Sequence, residues 1–153
     1  MIKAVRVDYR LLHGQVAVGW TNYLGADCIL LVTDTLLNDP IRVQSVKLAK
    51  PPGVKVVVKN VEDSIAAINS GITDKYKLFI VCETIEEAVR LGEHIEMTEL
   101  NIGGTTPGEG KKQLATVVYV TPKEEELIKE LQAKGVRVVM QMLPDVKKQQ
   151  IKL

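Results

Sequence analysis

Short apolar runs alternate along the chain with stretches in which apolar residues recur every three or four positions. Several of the runs are apolar without interruption, which is typical of strands covered by helices on both faces. The runs predict seven strands: IKAVRV at 2–7, CILLV at 28–32, VKVVV at 54–58, YKLFIVC at 76–82, ELNIGG at 99–104, LATVVYV at 114–120 and VRVVM at 136–140.

The stretches between the strands carry the start and stop signals of helices. A first helix is predicted from Gly14 to Leu24, because Gly25 can adopt the left-handed conformation that ends helices. Four later helices are expected to begin at capping residues. Those capping residues are Asp39 before Pro40, Asn60, Thr84 with Glu87 three positions on, and Thr121 before Pro122 and Glu124.

This alternation predicts an α/β fold with an open, mostly parallel sheet of about seven strands and helices on both faces. The connection between 99–104 and 114–120 contains no helix. Either this connection crosses over through its glycine-rich loop, or one late strand runs antiparallel at the sheet edge. The sequence leaves both topologies open.

Composition restricts the class of protein further. A chain of 153 residues, 46% of them hydrophobic, is expected to form a single domain over residues 1–153. Its formal charge of +1 provides no field that would recruit nucleic acid. No signal peptide or membrane-spanning helix is evident, which indicates a soluble, unexported protein. Cys28 and Cys82 lie in apolar runs, where cysteine usually behaves as a small buried hydrophobe.

The loop after the first predicted strand, DYRLLHGQV at 8–16, holds the candidate chemistry. Loops at the carboxyl ends of parallel strands are where open α/β sheets bind ligands. A neutral imidazole at His13 is a nucleophile, and the free N–H groups of Gly14, Gln15 and Val16 would face an anion on its ring. Arg10 could grip the same phosphoryl oxygens. The alternative is a loop histidine that only bonds a neighbouring carbonyl.

Other polar residues permit two interpretations each. Asp8 could orient His13 or Arg10, or could cap the loop, and Asp34 could cap a helix or contact a partner. His94 follows a predicted helix without a glycine junction, which favours a surface or capping role. We expect Leu11, Leu12 and Lys111 to surround His13 on a shallow docking face, and Trp20 to pack in the core.

The undecapeptide RVDYRLLHGQV at 6–16 resembles the R-I-D-x-R-L-I-H-G-Q-V signature of the IIB component in the mannose, fructose and sorbose family of the sugar phosphotransferase system. The likeness extends to Trp20, LLVTD ending at Asp34, PPGV at 51–54, LNIGG at 100–104 and EGKKQL at 109–114. The segments EGKKQL and GVRVVMQMLP are most similar to relatives acting on N-acetylgalactosamine or galactosamine.

The resemblance implies a protein-histidine sugar phosphotransferase of the cytoplasm, held at the inner membrane face through its transporter complex. A phosphorylated IIA protein would pass its phosphoryl group to Nδ1 of His13, and the membrane IIC and IID components would present the sugar that receives it. The family uses the arginine that matches Arg10 to steady the group, and it needs no metal or cofactor. The absence of a linker before the first strand favours a separate IIB chain, and a homo-oligomer stays open.

Two other classes of protein use similar parts. A phosphohistidine phosphatase would bring a second catalytic histidine, and His94 is the one other histidine in the chain. A regulatory phosphoacceptor domain would cluster acidic residues after its first strand, whereas here Asp8 is followed by arginine and histidine. The residue that holds acid-labile phosphate distinguishes the three classes.

Overall fold

The computed structural model describes residues 1–153, which form nine strands and five helices. The strands are β1 (Ile2–Asp8), β2 (Cys28–Val32), β3 (Lys55–Lys59), β4 (Leu78–Cys82), β5 (Glu99–Gly104), β6 (Lys112–Ala115), β7 (Val118–Val120), β8 (Arg137–Met140) and β9 (Gln149–Gln150). The helices are α1 (Gly14–Leu24), α2 (Pro40–Leu48), α3 (Val61–Asn69), α4 (Ile85–Gly92) and α5 (Pro122–Ala133), with a 3-10 turn at Leu36–Asn38.

Seven of the strands form one sheet in the order β3-β2-β4-β1-β5-β8-β9. From β3 to β8 in this order, neighbouring strands are parallel, and the edge strand β9 is antiparallel to β8. The predicted α/β class with a mostly parallel sheet is therefore confirmed. None of the helices combines the length and apolar character needed to cross a membrane.

The uninterrupted apolar runs pack on both faces of the sheet because alternate side chains of a strand point to opposite sides. In β4, Ile80 and Cys82 belong to the larger core cluster, which α3, α4 and α5 cover. Phe79 and Val81 belong to the smaller cluster beneath α1 and α2. Both cysteines are buried free thiols, and burial raises the pKa of Cys82.

The predicted capping residues begin the helices in the structure. Asp39 and Asn60 accept backbone N–H groups of the first turns that follow them, and Thr84 and Thr121 form complete capping boxes with the glutamates three positions on. Gly25 ends α1 at φ 64°, in the left-handed region. Each such cap stabilises its helix by about 1 kcal/mol, so local sequence determines where these helices start.

The run LATVVYV is not a strand of the main sheet, so this part of the prediction is wrong. The chain reverses within the run, and β6 and β7 form a separate antiparallel hairpin. Thr105, directly after β5, binds the hairpin through its backbone N–H to Val117 O and its hydroxyl to Tyr119 O. Ala115, Val118 and Val120 are buried in the larger core cluster. The apolar run reflects this burial and not a seventh parallel strand.

The antiparallel edge strand exists, but a different segment forms it. Gln149–Gln150 pairs with β8, and the next residue, Ile151, is buried in the larger core cluster. Two glutamines show neither alternation nor an apolar run, and therefore the sequence pattern could not reveal this strand.

The strand order places a topological switch point between two adjacent strands. From β1 the chain continues through α1 to β2 on one side, and from β4 it continues through α4 to β5 on the other. Helices α1 and α4 pack on opposite faces, so their first turns diverge at this edge. Crevices of this kind bind ligands in open α/β sheets. The loop after β1 forms one wall.

Candidate functional site

The loop from Asp8 to His13 is held against the core by its two leucines. The N–H of Leu11 donates to Asp8 O at 2.9 Å and closes a tight turn. Leu11 has φ 59°, a left-handed conformation that costs a non-glycine residue about 1–2 kcal/mol. Burial of Leu11 and Leu12 in the smaller core cluster offsets this cost. The expectation that these leucines form a docking face is therefore wrong.

His13 is the N-cap residue of α1. Its backbone is extended, and its carbonyl accepts the N–H of Ala17 at 3.2 Å. Its side chain makes no capping hydrogen bond. The N–H groups at the start of a helix have no partner within the helix, and they carry its positive dipole end. The first turn at Gly14, Gln15 and Val16 is thus available to an anion beside the His13 ring.

Asp8 is the shared partner of the charged residues in this loop. Its side chain is 1% exposed. Oδ1 accepts the backbone N–H of Arg10 at 3.0 Å and Nε of Arg10 at 3.2 Å, and Oδ2 lies 3.1 Å from Nε2 of His13. Both interpretations of Asp8 therefore have a structural basis, since it closes the turn and contacts both functional side chains.

The contact with Asp8 determines which nitrogen of His13 is free. A carboxylate accepts hydrogen bonds, so the proton of a neutral ring lies on Nε2 and the lone pair lies on Nδ1. The His13 side chain is 25% exposed, and its one side-chain hydrogen bond is the contact through Nε2. Nδ1 of the neutral ring therefore keeps an unshared lone pair, which can act as a nucleophile.

Arg10 combines anchoring with exposure. Its side chain is 37% exposed, and its Cζ lies 5.3 Å from the centroid of the Tyr9 ring. The contact between Nη2 and Asp8 is long, at 3.5 Å, whereas Nε is well bonded. The outer end of the guanidinium can therefore turn toward an incoming anion while the inner end stays on the carboxylate.

Arg6 is a further charged residue at this edge, and the sequence supplied no role for it beyond the match to the signature. It is buried on the same face of β1 as Asp8, and its Nη2 lies 3.6 Å from Asp8 Oδ2. Burial lowers the pKa of Arg6 from 12.5 to about 10, although the charge of Asp8 works in the opposite direction. We call Arg6, Asp8, Arg10 and His13 the β1 cluster.

A second group of charged residues lies at the ends of β2 and β4, and we call Thr33, Asp34, Thr35, Arg42, Glu83, Glu87 and Arg90 the β2–β4 cluster. Glu83 accepts Arg42 Nη2 at 2.7 Å and the hydroxyl of Thr33 at 2.6 Å. Asp34 accepts the N–H of Val61 at 3.1 Å and Nη1 of Arg90 at 2.8 Å. These contacts support the interpretation of Asp34 as a capping residue.

Two pKa values in the β2–β4 cluster move in opposite directions. Burial raises the pKa of Glu87 above its ordinary value of 4.5, against the hydrogen bonds from Asp34 N–H and Thr84. Partial burial also acts to raise the pKa of Asp34, but the Val61 N–H and the Arg90 guanidinium outweigh it and lower the value below 3.8. Both carboxylates accept backbone N–H groups where strands connect to helices.

The remaining sequence candidates are His94, Lys111 and Trp20. His94 is exposed after the end of α4, at the edge of the sheet from which β5 begins, and so opposite the carboxyl edge. It therefore supplies no second histidine to the site. Lys111 donates to Thr106 O at 2.9 Å within its own loop. Trp20 is buried in the smaller core cluster, as predicted.

Comparison with known proteins places this geometry in a family. The chain matches the family described as PTS system sorbose subfamily IIB component over residues 2–153. It is 32% identical over 152 residues to the N-acetylgalactosamine-specific phosphotransferase enzyme IIB component 1 of Escherichia coli (strain K12), covering 98% of this chain and 96% of that one. It is 30% identical over 143 residues to the PTS system sorbose-specific EIIB component of Klebsiella pneumoniae, with coverages of 93% and 87%.

The solved structures agree in fold. The crystal structure of the IIBSor domain of the sorbose permease from Klebsiella pneumoniae has a TM-score of 0.92 at 28% identity, covering 99% of this chain and 93% of that one. The crystal structure of the N-acetylgalactosamine-specific IIB component 1 from Escherichia coli has a TM-score of 0.91 at 30% identity, with coverages of 99% and 100%. The likeness thus extends over nearly the whole chain.

Proposed function

Since the chain belongs to the sorbose subfamily of PTS IIB components, we propose that residues 1–153 form its single IIB domain and that His13 carries the phosphoryl group. IIB components of this family are phosphotransferases that act as phosphoryl carriers in sugar uptake, and IIA, IIC and IID partners are typical of the family. The observation that carries the assignment is the contact of His13 Nε2 with buried Asp8, which leaves Nδ1 free.

In the first step the lone pair of His13 Nδ1 attacks the phosphorus atom carried by IIA. The bond from phosphorus to its carrier atom in IIA breaks, and its electron pair returns to IIA as the new N–P bond forms. The proton on Nε2 stays in place, since its hydrogen bond to Asp8 is needed before and after transfer. In the second step a hydroxyl oxygen of the sugar attacks the phosphorus, the N–P bond breaks with its electron pair returning to Nδ1, and the hydroxyl proton passes to water, which regenerates the free ring.

The phosphoryl oxygens are met by two kinds of donor. The N–H groups of Gly14, Gln15 and Val16 form the first turn of α1, where an anion is favoured by the helix dipole. Arg10 turns the exposed side of its guanidinium to the same oxygens. Phosphoryl transfer is governed by positioning and charge stabilisation, which these groups provide from fixed positions.

The partner surface follows from what is exposed at the carboxyl edge. Tyr9, Leu37 and Ile41 are large apolar side chains exposed in loops or first turns that follow β1 and β2. We infer that IIA docks here. NMR shift mapping with IIA should centre on residues 9–20.

We also infer that the chain acts at the cytoplasmic face of the membrane beside IIC and IID, and that the sugar is N-acetylgalactosamine or galactosamine. Sugar phosphorylation in membranes with the transport components identifies the sugar.

The experiment that tests the assignment compares the two histidines of the chain. With phosphorylated IIA as donor, His13→Ala is expected to accept no phosphoryl group, whereas His94→Ala accepts at the wild-type rate. Phosphorus-31 NMR of the wild-type protein should detect a phosphoramidate on Nδ1 of His13. Phosphate on His94 or on an aspartate would overturn the assignment and favour the phosphatase or regulatory class.

A further inference from the structure

Arg6 is the charged residue of the β1 cluster that the proposed steps do not use. It is 2% exposed and precedes Asp8 by two positions, on the same face of β1. Nη1 donates to Gln141 O at 2.7 Å and Nη2 donates to Met142 O at 3.1 Å. Its Nε is buried without a hydrogen-bond partner. A cation is therefore held in the interior at a cost in solvation, directly behind the carboxylate that contacts His13.

The buried charge of Arg6 can influence the protonation of the His13 ring. A buried, ionised Asp8 beside an imidazole favours the imidazolium, in which both ring nitrogens carry protons and neither has a lone pair. Such a ring cannot attack phosphorus. A positive charge on the far side of the carboxylate offsets this effect, since opposite charges a few ångströms apart interact strongly where water is excluded.

Building on the proposed function, we propose that Arg6 is a positioning residue that fixes Asp8 and offsets its charge, so that Asp8 orients His13 through Nε2 without holding the ring protonated. Arg10 cannot fill this role throughout the cycle, because its exposed guanidinium is needed by the phosphoryl oxygens. Arg6, with a side chain 3% exposed, stays on Asp8 when the outer end of the Arg10 guanidinium turns to the phosphoryl oxygens.

The neighbouring strand is shaped around this guanidinium. A Cβ atom built on Gly103 of β5 would overlap Cζ, Nη2 and Nε of Arg6. A Cβ on the adjacent Gly104 would meet its nearest neighbour, Tyr9 Cε1, at 3.7 Å, which is ordinary contact. Gly103 is thus a position at which one methyl group displaces the Arg6 side chain without removing its charge.

The same guanidinium also anchors the segment after β8, and a purely structural role must be separable. Trp20 Nε1 donates to the same Met142 carbonyl at 2.9 Å, and Arg6 Cζ lies 5.2 Å from the Trp20 ring. Trp20→Phe is therefore expected to loosen the segment without removing either partner of the contact between Arg6 and Asp8. The other carboxylates at the ends of β2 and β4, Asp34 and Glu83, have arginines of their own in Arg90 and Arg42.

The test is the pH–rate profile for phosphoryl arrival from phosphorylated IIA, measured by rapid quench on the full chain. Arg6→Met and Gly103→Ala should move the acidic limb upward by about one pH unit, which slows transfer about tenfold below that limb. At high pH, where the ring is neutral in every variant, the rates should converge to within about twofold of wild type. Arg6→Lys keeps a positive charge, so its acidic limb should move less than that of Arg6→Met.

The controls separate the alternatives. Trp20→Phe should lower the urea midpoint of unfolding without moving the limb, and Gly104→Ala should leave the profile unchanged. If Arg6→Met and Gly103→Ala keep the wild-type profile and lose only stability, the charge-offset role is wrong. If Arg6→Met does not fold, Gly103→Ala decides the question. Absence of phosphate on His13 in the wild-type protein would instead refute the proposed function.

Discussion

The β1 cluster and the β2–β4 cluster lie at the same edge of one sheet and are built from the same parts, carboxylates paired with arginines. In the β2–β4 cluster, Asp34 and Glu83 are taken up by backbone N–H groups, hydroxyls and arginine partners. In the β1 cluster, one carboxylate contacts three side chains, and one of these, the partly exposed His13, keeps Nδ1 without a partner. The two clusters therefore differ in one atom, Nδ1 of His13, which no neighbouring group occupies.

The largest difference between the clusters should come from removing one carboxylate charge in each. Asp8→Asn is expected to slow phosphoryl arrival at His13 roughly a hundredfold or more, because the ring loses its orienting acceptor. It should also destabilise the fold by about 3–5 kcal/mol, since Arg6 is left buried without its counter-charge. Rapid quench and urea unfolding measure the two effects.

The matched variant in the other cluster is Glu83→Gln, which retains a side-chain oxygen for Thr33. Its transfer rate should stay within about twofold of wild type, and its stability should fall by about 1 kcal/mol through the loss of the charged bond from Arg42. Equal transfer rates in Asp8→Asn and Glu83→Gln would erase the distinction between the two clusters.

Arg10→Lys tests geometry against charge within the β1 cluster. Arginine presents a planar fork to two phosphoryl oxygens, whereas lysine offers a point charge on a flexible stem. We expect transfer to slow by roughly ten- to a thousandfold, with little change in stability because the side chain is partly exposed. Rapid quench should be applied both to arrival from IIA and to departure to the sugar. Wild-type rates in both steps would show that charge alone suffices.

Asp34→Ala sharpens the comparison from the structural side. The substitution removes the acceptor for Val61 N–H at the start of α3 and the partner of Arg90. Loss of a helix-capping acceptor costs about 1 kcal/mol, and the exposed ion pair adds little. The urea midpoint should therefore fall while the transfer rate remains at the wild-type value. A slower transfer at unchanged stability would mean that Asp34 contacts a partner.

The smallest expected effect is on the pH dependence of stability. The pKa of Asp34 in the folded state lies below its ordinary value of 3.8, so its stabilising contribution is present above 3.8 and is lost as pH falls through the lowered value. Wild-type protein should lose more stability than Asp34→Asn as the pH is lowered from 6 to below 3.8. If the free energy of unfolding falls by the same amount in both proteins over this pH range, the predicted direction is wrong.

Local patterns in the sequence predicted strands β1 to β5 and β8 of the sheet, and they predicted the candidate site loop. The starts of the helices followed from caps such as Asn60 and Thr84, because a cap is satisfied by residues within its own first turn. The undecapeptide at 6–16 also placed Asp8, Arg10 and His13 together, since one tight turn connects them. The hairpin at β6 and β7 was missed because an apolar run does not show where a chain reverses.

What the sequence determined by itself is the alternation of strands and helices and the identity of the loop that carries His13. Both depend on interactions between residues close together in the chain, whose energies can be read from spacing. Tertiary structure alone decided that Gln149–Gln150 closes the sheet, that Leu11 and Leu12 are buried, and that Arg6 lies behind Asp8 with its guanidinium over Gly103. The Arg6 site includes carbonyls 135 and 136 residues away, and no local period encodes contacts over that distance.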